Sequence, residues 1–405
     1  MKLSSRCKLL MKFFSKENID FQEQTNKTRE IFIELYNDIY NSYEYLLELK
    51  KPLYHISIKN IQSISQIVKP KQFNSKSFPI DVRKHIDENT FSEITYSFSL
   101  FDKNIKLIFV LEEANVEDKI KIYNKYVDLI IMWMYILNEY ASKFCAKTLT
   151  VYLYFTSLEK KLPESDFFVI DEIHVNTAFT RTCPRDAEIV IYRKEEWFKV
   201  FMHETFHTFG LDFSDMNNND CTSKILSIFP VNSEVNLYES YAEFWAEIMN
   251  ALFCSFLNLK NKRDIDLFLR QIDLFIHHER SNSFLQLVKI LNFMGLKYSD
   301  MYKKNSASKI LRDTLYKEKT NVLSYFVIKT ILLNQYQGFL MWCKNNNNTL
   351  LHFRKSPANV VQFCKFIEKN YKISSMIRNV ERTEELKSDN NFIKTNLRMS
   401  VCEMV

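Results

Sequence analysis

The chain has 405 residues, enough for two or three domains or for one large domain with appendages. Hydrophobic residues make up 46 % of it and are spread along its length, which excludes a disordered polypeptide. Its 55 basic and 49 acidic side chains are well mixed and leave a net charge of +6, without the concentrated basic stripe of a nucleic-acid binder.

The start, Met1 to Ser15, breaks its short apolar run Leu9-Leu10-Met11-Lys12-Phe13 with a lysine, unlike a secretion signal. Phe21 to Lys50 places Ile31, Ile33, Leu35, Tyr36 and Ile39 close to a period of about 3.6 and reads as helix. An irregular stretch follows to Asn89, so residues 1–90 are expected as a helical and irregular N-terminal region. Phe91–Phe101 and Ile105–Leu111 read as strands around a hairpin turn at Asp102-Lys103-Asn104. Val116 to Ala146 reads as a long helix. Its apolar run, Leu129–Leu137, is about half the length that crosses a bilayer. Strands at Leu149–Phe155, Val175–Thr180 and Glu188–Arg193 and a helix from Lys194 to Gly210 complete an α+β domain over 91–232. Helices then follow at Leu237–Leu257, Asp264–His278, Ser283–Phe293, Val322–Cys343 and Ala358–Tyr371, a helical domain over 233–390. Residues 391–405 read as a mobile tail.

Eight cysteines, at 7, 145, 183, 221, 254, 343, 364 and 402, include no Cys-x-x-Cys pair. Scattered thiols in so long a chain fit a reducing compartment, and the protein reads as soluble and intracellular. Cys183 and Cys221 lack ligand spacing and are expected as buried or inert thiols. With 34 Phe and 21 Tyr against 3 Gly and 7 Pro, the composition has the look of an AT-rich coding genome and makes each glycine informative.

His203-Glu204-Thr205-Phe206-His207 is an H-E-x-x-H pattern inside a helical segment. Residues at i and i+4 are neighbours on one helix face, so both imidazoles can reach a single ion. The intervening glutamate projects about 100° around, close enough to hold a water on that ion. Zinc accepts such nitrogen and oxygen ligands, and a catalytic site keeps one of its positions for water. Trp197, Phe198, Phe201, Met202 and Phe209 fall on the side away from the histidines, with Phe206 at the flank, so the imidazoles are expected to face a cleft. Glu195 and Glu196 fall in the expected first turn, where carboxylates suit the helix dipole, and Gly210 suits the C′ position. One zinc ion, held by His203 and His207 with Glu204 as general base, is the expectation.

A third ligand is required. In H-E-x-x-H-x-x-G-x-x-H/D the glycine matches Gly210, but Phe213 occupies the ligand position and Asp212 falls one residue early. Further on, Glu239, Glu243 and Glu247 share one face of a helix whose other face carries Tyr241, Phe244, Trp245 and Ile248. Such a face is either a solvated acidic stripe or the source of one ligand.

With these two segments the chain resembles the gluzincin metallopeptidases, which pair H-E-x-x-H with a glutamate in an N-E-G-F-A-E-like segment on another helix. The resemblance spans Phe91 to Ala251 and puts Glu239 at the ligand position and Glu243 at that of an acid holding the first histidine. Tyr238 and Ser240 replace the family's Asn and Gly, which leaves Glu243 as the alternative ligand. It implies a zincin-like domain, with a mixed twisted sheet, a long backing helix and the active-site helix, followed by an all-helical domain supplying the third ligand. His174-Val175-Asn176-Thr177-Ala178-Phe179 is similar to the edge strand of such clefts, where Asn176 and Ala178 would pair with an extended substrate. The wording of both segments looks most like uncharacterised proteins of giant DNA viruses, which would put the chain in host cytoplasm or virion.

The resemblance implies a zinc metallopeptidase, a hydrolase in which a zinc-activated water attacks a peptide carbonyl and Glu204 moves the proton. The family's oxyanion donor is a Tyr or His from the helical half, for which Tyr238, Tyr241, His277, His278 and His352 are candidates. The expected partner is a polypeptide, with neither nucleic acid nor membrane. The alternative is a zinc-binding virion or interaction protein without turnover, against which the intact Glu204 speaks.

Overall fold

Apolar alternation and turn geometry build the sheet first. In the computed structural model, which describes residues 2–14, 19–49 and 53–405, the chain runs α1 (Ser5–Phe14), α2 (Asn26–Glu48), β1 (His55–Asn60), α3 (Ile80–Asn89), β2 (Ser92–Leu100), β3 (Lys103–Leu111), α4 (Ile120–Tyr140), β4 (Thr148–Phe155), α5 (Glu172–Val175), β5 (Ala178–Phe179), β6 (Asp186–Ile191) and α6 (Trp197–Thr208). It continues as α7 (Asn219–Ile228), α8 (Leu237–Asn258), α9 (Ile265–Phe293), α10 (Tyr298–Tyr302), α11 (Ser306–Leu315), a π-helix (Leu323–Ile328), α12 (Lys329–Asn334), α13 (Tyr336–Asn346), α14 (Pro357–Asn370), α15 (Ser374–Glu384) and α16 (Asn391–Thr395). Met1 and Ser15, at the two ends of the stretch read against a secretion signal, and Lys50, at the end of the first expected helix, lie outside the described residues.

Two units divide the chain, and they interleave instead of following the sequential boundaries expected at 90, 232 and 390. The first takes Glu34–Glu159 and Asn176–Leu211, and the second takes Lys2–Ile33, Lys160–Val175 and Asp212–Val405. The protein is α+β, as expected from the alternation of periods.

In the first unit the described strands form one mixed sheet in the order β1-β2-β3-β4-β6-β5. The pairs β1–β2, β2–β3 and β5–β6 are antiparallel, and β3–β4 and β4–β6 are parallel. Strand β1 lies within the stretch expected to be irregular. Its HISIKN sequence is mostly exposed, so it carries no buried alternation to read. The β2–β3 hairpin turns at Phe101-Asp102, both at positive φ (51° and 59°), and not at Asp102-Lys103-Asn104. Lys103 joins the strand because its side chain is buried and donates from Nζ to Cys145 O at 2.8 Å.

The sheet is covered on both faces. Ile108, Val110, Tyr152, Tyr154, Val190 and Tyr192 pack with Phe78, Val82 and Ile86 around α3. On the other face Phe109 meets Tyr123 of α4 (centroids 5.2 Å apart), and Phe155 meets Tyr126 of α4 at 6.0 Å. Helix α4 starts and ends a few residues inside the expected Val116–Ala146, but its apolar run is the buried backing expected of it. No helix among the described residues is long and apolar enough to cross a membrane.

The second unit is built of helices, with isolated bridges at Leu3–Met404, Lys161–Asn396 and Ile170–Glu318 among its described residues. The expected break between Asp264–His278 and Ser283–Phe293 is absent, and α9 is continuous. The expected helix Val322–Cys343 instead changes from π to α and restarts after Gln335. The mobile tail is a correction. Leu397, Met399, Val401 and Cys402 are buried, and the Val401 and Cys402 amides each donate to the buried carboxylate of Glu279 at 2.8 Å. Ser400 Oγ donates to the same carboxylate, and the segment is held as core.

Candidate metal centre

Helix α6 carries the histidine pair and is fixed at both ends. It starts later than expected. Glu196 is the N-cap, at φ 57°, and Glu195 precedes it, so neither sits in the first turn. At the other end Gly210 has φ 66°, its N–H donates to His207 O (3.0 Å), and Leu211 N–H donates to Phe206 O (2.8 Å). That is a Schellman ending with glycine at C′, the role the sequence assigns to Gly210.

The helix is pinned against α4 and the sheet. Trp133 Nε1 donates to Thr205 Oγ1 at 2.8 Å, and its ring lies 6.4 Å from that of Phe206. Trp197 packs on Tyr126 and Phe155 at 5.0 and 5.6 Å. Thr208 Oγ1 shares a hydrogen bond with Thr180 Oγ1 at 2.8 Å. A disulfide joins Cys145 to Cys183, whose N–H donates to His207 O at 3.1 Å. This corrects the reading of Cys183 as an inert thiol; a sequence separation of 38 hides the pair in the sequence.

His203 Nε2 and His207 Nε2 are 3.2 Å apart, with ring planes at 80°. Two ligands about 2.05 Å from a tetrahedral zinc are separated by about 3.3 Å, so the pair has the spacing of two nitrogens on one ion. The expectation of an open, cleft-facing side on this helix needs correcting. His203, Glu204 and His207 are 5 %, 6 % and 8 % exposed, and the helix is buried nearly all round.

The edge strand is shorter than expected. Only Ala178 and Phe179 pair with β6, opposite Ile191 and Val190. Asn176 precedes the strand, and His174 and Val175 form the last turn of α5. Tyr192 N–H donates to Thr177 O at 2.9 Å, which extends the pairing by one bond. A local Asp171–His174 turn, with His174 Nδ1 3.3 Å from Asp171 Oδ1, competes with extension upstream.

The second unit holds the acids on α8. Glu243 and Glu247 are 2 % and 0 % exposed, so this is no solvated stripe. Glu247 Oε1 is 2.6 Å from Lys329 Nζ. Glu239 is half-buried and accepts a hydrogen bond from the Tyr325 hydroxyl at 2.9 Å. Sequence reasoning missed Tyr325. It lies 86 residues from Glu239 in the π-helix, a form that recurs at functional sites and that no local pattern announces.

The oxyanion candidates separate. Tyr241 is fully buried, donating to Leu351 O (2.9 Å) and accepting from Asn347 Nδ2 (2.8 Å), among Phe213, Phe339, Phe353 and Phe363. Its hydroxyl is committed to the core. Tyr238 packs on Phe213, and burial, then the charges of Glu239, Asp212 and Glu234, push its phenol up. His352 lies in the loop after α13, its carbonyl accepting from Asn348 N–H at 2.9 Å. His277 and His278 lie on α9, their rings 5.2 Å from Phe21 and 6.5 Å from Phe14.

Burial pushes both α9 imidazoles down to about 4, with the charges of Arg280 and His278 adding to it at His277. They are neutral at pH 7 and bring no positive charge. In the unfolded chain they take a proton near 6.5, so between about 6.5 and 4 the unfolded state binds more protons. Their stabilising effect is therefore complete above that window and lost as pH falls through it. The urea midpoint is expected to drop from pH 7 to pH 4.5, and His278→Gln to shrink that drop; an unchanged pH difference in the variant counts against this origin.

No family model, curated protein or solved structure matches the chain.

Proposed function

We propose that the chain is a zinc-dependent peptide hydrolase in which His203, His207 and Glu239 hold one ion and Glu204 is the general base. The observation that carries this reading is the 3.2 Å spacing of the two Nε2 atoms on one buried helix. A proton shared between the rings would give a similar spacing, and metal content separates the two cases. A proposed donor set of two imidazole nitrogens and one carboxylate oxygen is in keeping with it, because three protein ligands characterise catalytic zinc and four characterise structural zinc. Glu239 is taken over Glu243 as the third ligand from its position in the N-E-G-F-A-E-like segment, and the Tyr325 hydroxyl, which donates to its carboxylate at 2.9 Å, would orient it.

When bound, the ion polarises a peptide carbonyl and makes a neighbouring water more acidic. Glu204, next to His203 in the chain, accepts the proton of the attacking water on its carboxylate and returns it to the leaving amine. Its burial excludes competing solvent around that proton. The zincin-like character of the α+β fold and the likeness to gluzincins belong to this same proposal.

A second reading, a zinc-binding interaction protein without turnover, is favoured by the two-residue length of the edge strand, which offers little backbone for pairing with a substrate. Both readings require metal. Elemental analysis of the purified chain is expected to find about one zinc per molecule, and His207→Ala to lose it. Wild-type protein that takes up no zinc sinks both.

A further inference from the structure

The cysteines that the sequence scatters meet in pairs within the helical unit. Cys221 of α7 and Cys364 of α14 are buried neighbours with free thiols. Cys364 Sγ also lies 3.4 Å from Cys221 O, and Cys221 Sγ lies 3.7 Å from Val360 O, one turn before Cys364. Cys254 of α8 lies one turn after Asn250, the residue of that helix that holds the backbone of Cys402 in the C-terminal segment, and both thiols are free and buried. That segment is held beside α8 by Asn250 Nδ2, which donates to Cys402 O at 2.8 Å, and its register is set by the Leu3–Met404 bridge. All four residues are at most 4 % exposed. A buried residue touches only about ten others, so eight cysteines placed independently among 405 residues would bring fewer than about one pair together. Counting Cys145–Cys183, three pairs meet.

We propose that Cys221–Cys364 and Cys254–Cys402 are disulfide-forming pairs, which with Cys145–Cys183 make a framework of three bridges and leave Cys7 and Cys343 as thiols. The oxidant is a small-molecule disulfide, RSSR. One cysteine thiolate attacks a sulfur of RSSR, forming a mixed disulfide and expelling RS⁻. The partner thiolate then attacks the protein sulfur of that mixed disulfide, forming the protein bridge and expelling the second RS⁻. The two cysteine protons end on the two RS⁻, so two protein thiols are oxidised while RSSR is reduced to two RSH. Since the thiols are buried in the folded unit, the exchange belongs to folding, before α7 and α14 close over them. The first bridge would tie α7 to α14 across 143 residues, and the second would tie the chain's end to α8, the helix of Glu239. Long closed loops are those in which a cross-link most restricts the unfolded chain.

The test refolds the full chain in a mixture of oxidised and reduced glutathione, blocks remaining thiols in denaturant, and maps the unreduced peptides by mass spectrometry. Linked peptides 221–364 and 254–402 are expected beside 145–183, with the blocking label on Cys7 and Cys343. Label on all four cysteines while 145–183 is linked overturns the proposal, as does a Cys7–Cys402 link. Cys364→Ser and Cys402→Ser should each expose the partner thiol to the label and lower the melting temperature of the oxidised protein by about 4 °C or more. A partner that stays unlabelled, or an unchanged melting temperature, also overturns it.

Discussion

Glu204→Gln is expected to lower peptide hydrolysis by about 10²- to 10⁴-fold while leaving zinc bound. Glutamine keeps the volume and the polar end of the side chain at a position 6 % exposed, so α6 and its two imidazoles keep their packing. What disappears is the carboxylate able to take a proton, and with it the proton supply for the leaving amine. The comparison is a peptide-cleavage profile of wild type and variant on the same digest-derived library, with zinc content measured on both. Equal cleavage would remove Glu204 from the chemistry. Identical profiles with no cleavage by either protein, both loaded with zinc, would favour the binding protein without turnover. Loss of zinc in the variant would assign the residue to holding the site and not to moving a proton.

The largest expected effect on stability comes from Lys329→Ala, at about 3–5 kcal/mol. Lys329 Nζ and Glu247 Oε1 are 2.6 Å apart with side chains 1 % and 0 % exposed. Removing the ammonium leaves a carboxylate in the core without its counter-charge, and desolvating that charge is what costs. The double change Glu247→Gln with Lys329→Met removes both charges at similar volume and should recover much of the loss. Urea unfolding of the three proteins decides. A single variant within about 1 kcal/mol of wild type would show that the pair is compensated elsewhere. The pair also bears on the proposed zinc site. Glu247 follows Glu239 by two turns on α8, and Lys329 follows Tyr325 by about one turn, so the buried charges hold the same helix pairing that sets the Tyr325 hydroxyl on Glu239. The single variant should therefore loosen zinc binding as well.

Some of this was legible without coordinates because it depends on neighbours along the chain. The i, i+4 spacing of His203 and His207 brings two Nε2 atoms to 3.2 Å once the segment is helical, and few residues other than Gly210 end such a helix at positive φ so readily. The hairpin, the long apolar α4 and strands β4 and β6 follow from runs of buried side chains that any reading of period finds. The one-sided character expected of α6 did not follow, since a helix pattern records which residues are apolar and not how many neighbours cover the rest.

The sequence by itself determined the histidine pair, the glutamate beside it and the strand-and-helix order of an α+β protein, because rotation per residue and turn stereochemistry act within a few bonds. The tertiary structure alone decided that Tyr325 reaches Glu239, that Lys329 neutralises Glu247, that Cys145 finds Cys183, and that the last residues are core. Each of these joins positions dozens to hundreds of residues apart, or a terminus to a helix, where no periodicity connects the partners. Burial makes such polar groups find one another, since an uncompensated charge or donor in the interior costs more than ordering the chain that satisfies it.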